Sequence, residues 1–173
     1  MRRPAGITLI ELLITLLLLA IMAALGVPTF TDLLLEMRMT TQVNRLVHAV
    51  HLAKHAAHMT LSQTVLCKST DGRQCGGSPH WHDGWIVFVN RDADSPPRVD
   101  AGERVLDVGE PFPTGTITGN RAHFIFRPFA TRSTNGTLIF CDRRGANRSR
   151  AVIVSYTGRP RVARLEAPPA CGH

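Results

Sequence analysis

From Ile7 to Val27 the chain runs for 21 residues with one charged side chain, Glu11. A helix of that length is about 31 Å long, enough to cross the hydrocarbon core of a bilayer. Arg2 and Arg3 precede the run and hold that end on the cytoplasmic side. Pro28 removes one backbone donor and is expected to kink the helix, not to end it. From Thr31 to about Thr60 the pattern becomes amphipathic. Val43, Leu46, Val50, Ala53, Ala57 and Leu61 recur in steps of three and four, which places them on one face. One long helix is therefore predicted. Its first half is apolar all round, and its second half packs one face on a globular head.

After Ser62 the period shortens to that of strands. Thr64–Cys67, Trp85–Asn90, Arg104–Val108, Ala122–Arg127, Thr137–Cys141 and Ala151–Tyr156 read as strands. Gly, Pro, Asn and Asp separate them at short intervals, as in an antiparallel sheet. Asp92–Gly102 reads as a long exposed loop, and its acids lack the spacing of an EF-hand. The fold class expected is α+β, a long N-terminal helix packed on an antiparallel β-sheet head. The organisation expected is a short segment at 1–6, a transmembrane helix at 7–28, an amphipathic helix at 29–62 and a β-rich head at 63–173. Beyond residue 28 there remain 145 residues, enough for a core of their own.

Glu11 changes the picture. A carboxylate inside an apolar span costs roughly 2.5 kcal/mol or more in lipid, and a plain anchor has no use for one. A secretory signal peptide has a shorter apolar run and ends in a small-residue cleavage site. Here the small residue, Gly6, comes first, so a cut after Gly6 would leave the apolar helix on the mature chain. Gly6-Ile7-Thr8-Leu9-Ile10-Glu11 resembles the class III leader junction of type IV pilins and type II secretion pseudopilins, with Ile7 where Phe is usual. The resemblance makes 1–6 a leader peptide and 7–28 a helix of the filament core, and implies that a prepilin peptidase cuts after Gly6 and methylates the new N-terminus at Ile7. It implies that Glu11 pairs with the N-terminal amine of a neighbouring subunit, which supplies the partner a buried carboxylate needs. Pro28 also falls where pilins carry a helix-bending proline.

The second half narrows the resemblance. Ala53-Lys54-His55-Ala56 followed by Thr64-Val65-Leu66-Cys67 is similar to the helix-to-strand passage of the FimT/GspH minor pilin family. Gly84-Trp85-Ile86-Val87-Phe88-Val89-Asn90 is similar too, with Asn90 where the family often has Asp. Thr137–Cys141 and Ala151–Arg161 also match, ending in Gly158-Arg159-Pro160-Arg161. The family's Phe-x-Pro-x-Gly turn stands here as Phe126-Arg127-Pro128-Phe129-Ala130, with Ala in place of Gly.

Charge adds a functional expectation. The net charge is +7, unevenly spread. Residues 71–110 hold eight acids against four arginines, and residues 111–173 hold ten arginines against two acids, Asp142 and Glu166. Arginine in a basic C-terminal third suits bidentate contact with phosphate. Asp142–Arg150 links two apolar strands and is expected to be an exposed loop carrying Arg143, Arg144, Arg148 and Arg150. The following strand ends at Thr157-Gly158, where glycine permits a tight turn. Pro160 fixes its own φ and pushes Arg159 towards an extended shape, so Arg159 and Arg161 are expected to face one side. Arg164 continues the run. The two arginine groups stand about 20 Å apart across a strand, the length of roughly six base pairs. Sequence-independent contact with the DNA backbone is thus expected, since no groove-reading helix is present. In FimT-like minor pilins a C-terminal Gly-Arg-x-Arg motif is associated with DNA binding in natural transformation. Gly158, Arg159 and Arg161 match it residue by residue. The alternative is a structural minor pilin or type II secretion pseudopilin that primes or caps a fibre. In either case the expected setting is the inner membrane, single-pass, with the head in the periplasm and then in a pilus fibre.

Four cysteines in a chain that faces the periplasm favour disulfides. Cys67 has a near partner in Cys75, which leaves Cys141 with Cys171, pinning the tail. Cys67 joined to Cys141 across strands is the competing arrangement, and three connectivities stay open. His48, His51, His55 and His58 form a stripe on the long helix, about 130° from the apolar face. His51 and His55, four apart, suit a metal, but no carboxylate or cysteine shares the stripe. It reads as a polar flank or an inter-subunit surface, and no metal or cofactor is expected. His80-Trp81-His82-Asp83 reads as a loop with exposed histidines before a strand. No nucleophile motif or Gly-rich phosphate loop accompanies it, and no enzyme is expected.

Overall fold

The computed structural model describes residues 6–76, 80–129, 132–165 and 171. Arg2, Arg3, Ala130 and Glu166 lie outside the described residues. Helix α1 runs Leu9–Thr60. It opens on a reciprocal cap. Glu11 N donates to Thr8 Oγ1 at 3.3 Å, and Thr8 N donates to Glu11 Oε2 at 3.5 Å. This is a capping box, which satisfies donors that the first turn leaves without partners. Pro28 lies inside α1, and the chain stays helical through it. Nearby, Thr29 Oγ1 donates to the Leu25 carbonyl at 3.1 Å and Thr31 Oγ1 to that of Pro28 at 2.8 Å.

The chain divides into two compact units, Met1–Met37 and Arg38–His173. In the first, Ile7, Leu12, Leu16, Leu19 and Leu25 are all exposed. Their helix is long and apolar enough to cross a membrane. In the second, α1 buries Met39, Val43, Leu46, Ala49, Val50, Ala53 and Ala57. That is the predicted stripe except at its end. Leu61 is 63% exposed, with φ +52°. The helix has ended at Thr60, so Leu61 leaves the helical phase and turns to solvent.

Two four-stranded antiparallel sheets complete the head. The first, in the order β3-β2-β1-β5, contains β1 (Gln63–Lys68), β2 (Trp85–Asn90), β3 (Val105–Gly109) and β5 (His123–Phe126). The second, in the order β4-β6-β7-β8, contains β4 (Gly115–Gly119), β6 (Gly136–Asp142), β7 (Arg150–Val154) and β8 (Pro160–Ala163). β4 and β8 were not anticipated. Both are edge strands, β4 bounded by glycines and β8 opening on proline. An edge needs only one ladder and tolerates residues that a central strand does not.

The main core joins α1 to both sheets, with Leu66, Trp85, Val87, Phe124, Phe126, Leu138, Phe140, Val152 and Val154. β1 and β2 are buried on both faces. Val65, Cys67, Ile86 and Phe88 form a second cluster on the other side, packed by Cys75, Val99, Val105 and Ile125. The stretch 92–102 is therefore more than an exposed loop. Pro97 is buried and Val99 covers the sheet. Gln74 holds Val99 in place through both its backbone groups, at 3.0 and 3.3 Å.

The disulfides are Cys67–Cys75 and Cys141–Cys171. Within the loop closed by the first, the backbone N–H groups of Gln74 and Arg73 hold the Asp71 carboxyl below the ordinary carboxylate value. The His80–Asp83 stretch also differs from expectation. Trp81–Asp83 is a single 3-10 turn with Trp81 buried, its Nε1 donating to the Arg121 carbonyl at 2.8 Å. His82 Nδ1 accepts from Ile117 N at 3.4 Å, so this segment ties β4 to the core.

Candidate nucleic-acid interface

β7 lies between β6 and β8, and the arginines of the sequence motifs gather at its two ends. At one end the β7–β8 connection is a tight hairpin. Gly158 N donates to the Ser155 carbonyl at 2.9 Å, Ser155 N to the Arg159 carbonyl at 3.0 Å, and Arg159 N to Ser155 Oγ at 3.1 Å. Gly158 has φ +68° and is buried. A Cβ there would lie 3.0 Å from Ser133 Oγ and 3.2 Å from the Phe126 ring, so both backbone shape and close packing select glycine. Lys54 of α1 donates from Nζ to the Thr157 carbonyl at 2.7 Å, tying the turn to the helix. Arg159 is exposed at the end of this turn. Arg161, also exposed, sits opposite Ile153 in β8, on the face turned away from core Val152 and Val154. Arg164 is exposed just beyond β8.

At the other end of β7, Arg143 and Arg148 are exposed and Arg150 is half-buried. Arg144 differs from its neighbours. Its guanidinium clasps Asp142, with Nε 3.1 Å from both carboxylate oxygens and one Nη 2.7 Å from Oδ2. The side chains are 9% and 1% exposed, so this charge is neutralised inside the loop. Arg144 N also donates to Asp142 Oδ1 at 2.9 Å, which shapes the turn that presents Arg143.

The histidine stripe is split between two grooves. His48 lines one with Arg45, Asp107 and Glu110, where Arg45 and Glu110 form an ion pair. His51, His55 and His58 line another, of about 470 Å³, with Lys54, Gly158, Arg159 and Pro160. Sequence reasoning did not join this stripe to the Arg159 turn, and it missed Lys54, whose one signal was being one of two lysines in the chain. It also missed the exposed Tyr156, which the Arg132 guanidinium approaches to 6.0 Å from the ring centre. Phe129, with φ +54° and 80% exposure, packs edge-on to His58.

On the first sheet, ligand atoms of Asp92, Asp94 and Asp100 lie within 4.8 Å of one another. Desolvation, and then repulsion from Asp92, Asp94 and Glu103, holds the Asp100 carboxyl above its ordinary value. These acids are in the first sheet's loops, whereas Arg143, Arg148, Arg159, Arg161 and Arg164 lie in or beside β7 and β8 of the second.

A long N-terminal helix with an apolar first half, packed through its second half on antiparallel sheet, is the architecture of a pilin subunit. The model of the family described as type II transport protein GspH matches residues 42–158, and the prokaryotic N-terminal methylation motif matches residues 1–27. The chain belongs to the GspH family, of minor type IV pilins and pseudopilins. It is similar to two crystal structures of the type IV minor pilin FimU of Pseudomonas aeruginosa. One aligns at 16% identity and a TM-score of 0.57, covering 78% of this chain and 95% of that one. The other aligns at 16% and 0.54, covering 77% and 99%. At such identity the likeness concerns the fold. A search of curated proteins finds no match. Membership of a pilin family implies assembly with other pilin subunits, processing by a prepilin peptidase and anchoring in the inner membrane.

Proposed function

We propose that this chain is a minor type IV pilin whose periplasmic head captures DNA without sequence preference, for uptake in natural transformation. The observation that carries the reading is the hairpin built on Gly158, which offers Arg159 and Arg161 from a rigid, exposed sheet edge. Arg143 and Arg148 add a second basic point about 17 Å away along β7, and Arg164 extends the first. Arg150 borders the second point, while Arg144 supports its loop and does not offer charge. Phosphate contacts of this kind fix position and carry no base readout. At the other end of the chain, the reading has the peptidase cut after Gly6 and methylate Ile7. Glu11 then meets the N-terminal amine of a neighbouring subunit, and its place in the first turn of α1 supports that role.

The test is fluorescence anisotropy of a labelled duplex with the full chain in detergent micelles, across a salt series. Five exposed arginines, each on one phosphate, give a slope of log K against log salt near −4.5. Arg159→Ala with Arg161→Ala should bring it to about −2.7. A folded wild-type chain that does not bind duplex at low salt overturns the reading. An unchanged slope in the double variant removes the hairpin as the site. A second reading, a structural pseudopilin, is favoured by the family's own description as a type II transport protein. It expects a deletion strain to lose secretion or fibres, whereas the hairpin variant keeps both.

A further inference from the structure

Resting on the DNA-binding reading, we propose that the groove between α1 and the β7–β8 hairpin is a proton-linked phosphate site, which grips nucleic acid more tightly as His51, His55 and His58 gain protons. The groove is built on fixed elements. Its helix wall belongs to the buried-core part of α1. Its hairpin wall is held by the Lys54–Thr157 bond and by Gly158 wedged against Phe126. The charged and titratable groups facing it are His51, Lys54, His55 and His58 from α1 and Arg159 from the hairpin, and the described lining includes no carboxylate. Phe129 closes beside His58 and adds no charge.

Lys54 and Arg159 give the groove two permanent positive charges, and the three imidazoles raise this to five when protonated. A phosphodiester favours the charged form of an imidazole, so binding takes up protons. The protonated ring presents two N–H donors and no acceptor, matching an anionic oxygen. Among the described residues the convergent ligand group is the aspartate set on the other sheet. His48 is outside this site, facing the Arg45–Glu110 pair in the separate groove.

The experiment compares duplex affinity of the full chain in micelles at about pH 8 and about pH 6, in about 0.1 M salt. One further phosphate contact multiplies the binding constant by about 8 and steepens the salt slope by about 0.9. In the combined variant His51→Gln, His55→Gln, His58→Gln the affinity at about pH 6 should equal that variant's own affinity at about pH 8, the gain being lost, while His48→Gln keeps the gain. Circular dichroism at both pH values checks that each variant is folded. Titration calorimetry of the wild type in two buffers near pH 6.5 gives a second readout, net proton uptake on binding. Wild-type binding that needs Arg159 yet shows no gain at low pH, or a gain that survives in the triple variant, overturns this inference alone. No uptake of protons overturns it as well. Absence of binding at both pH values overturns the DNA reading itself.

Discussion

Replacing Arg144 with alanine should destabilise the head far more than replacing Arg143, its neighbour in sequence. The Asp142 side chain is 1% exposed, and the Arg144 guanidinium is what neutralises it. Removing one partner of a buried pair leaves the other charge uncompensated, at a cost of about 3–5 kcal/mol. Asp142 keeps the bond from Arg144 N at 2.9 Å, so the lower end, about 3 kcal/mol, is expected. Arg143→Ala at an exposed position should stay within about 0.5 kcal/mol. Urea unfolding followed by circular dichroism separates the two. With a slope of about 1–3 kcal/mol/M, Arg144→Ala lowers the midpoint by about 1–3 M and Arg143→Ala hardly moves it. The double variant Asp142→Ala/Arg144→Ala should recover part of the loss, because no orphan charge remains. DNA binding reverses the order. Arg143→Ala should flatten the salt slope by about 0.9, and Arg144→Ala, where still folded, should leave it unchanged. Equal midpoints for the two single variants, or a flattened slope with Arg144→Ala, would refute the division of labour between them.

Two further outcomes test the head. Gly158→Ala places a side chain at φ +68° and 3.0–3.2 Å from Ser133 and Phe126, so it should lower stability by at least about 1–2 kcal/mol; an unchanged unfolding midpoint would show that the hairpin relaxes freely. Burial lowers the proton affinity of His123 from its ordinary value of 6.5. The unfolded chain then takes the proton first, so the stability this ring contributes is full above about pH 6.5 and is lost as pH falls through the folded value. Unfolding midpoints between about pH 7 and pH 5.5 should fall more for wild type than for His123→Gln, and parallel curves would count against it.

Local pattern carried much of this protein. The apolar run, the acid at Glu11 and the phase of Val43 through Ala57 specify an anchor helix and its buried face, because helix period and lipid cost act within a few turns. The runs of β-branched and aromatic residues marked the six strands other than β4 and β8. The Thr8–Glu11 cap was equally local and was overlooked beside the charge of Glu11. β4 and β8 escaped because edge strands with glycine and proline carry little pattern. Leu61 shows where periodicity overreaches, since only the end of α1 ejects it from the stripe. Tertiary structure alone separated Arg143 from Arg144, by burying Asp142 beside one of them. It alone brought His51, His55 and His58 to Arg159, roughly a hundred residues away in sequence. Spacing along a chain says which side chains share a face. Which faces meet is settled by strand order and non-local packing, and β7–β8 came to lie beside α1 through those.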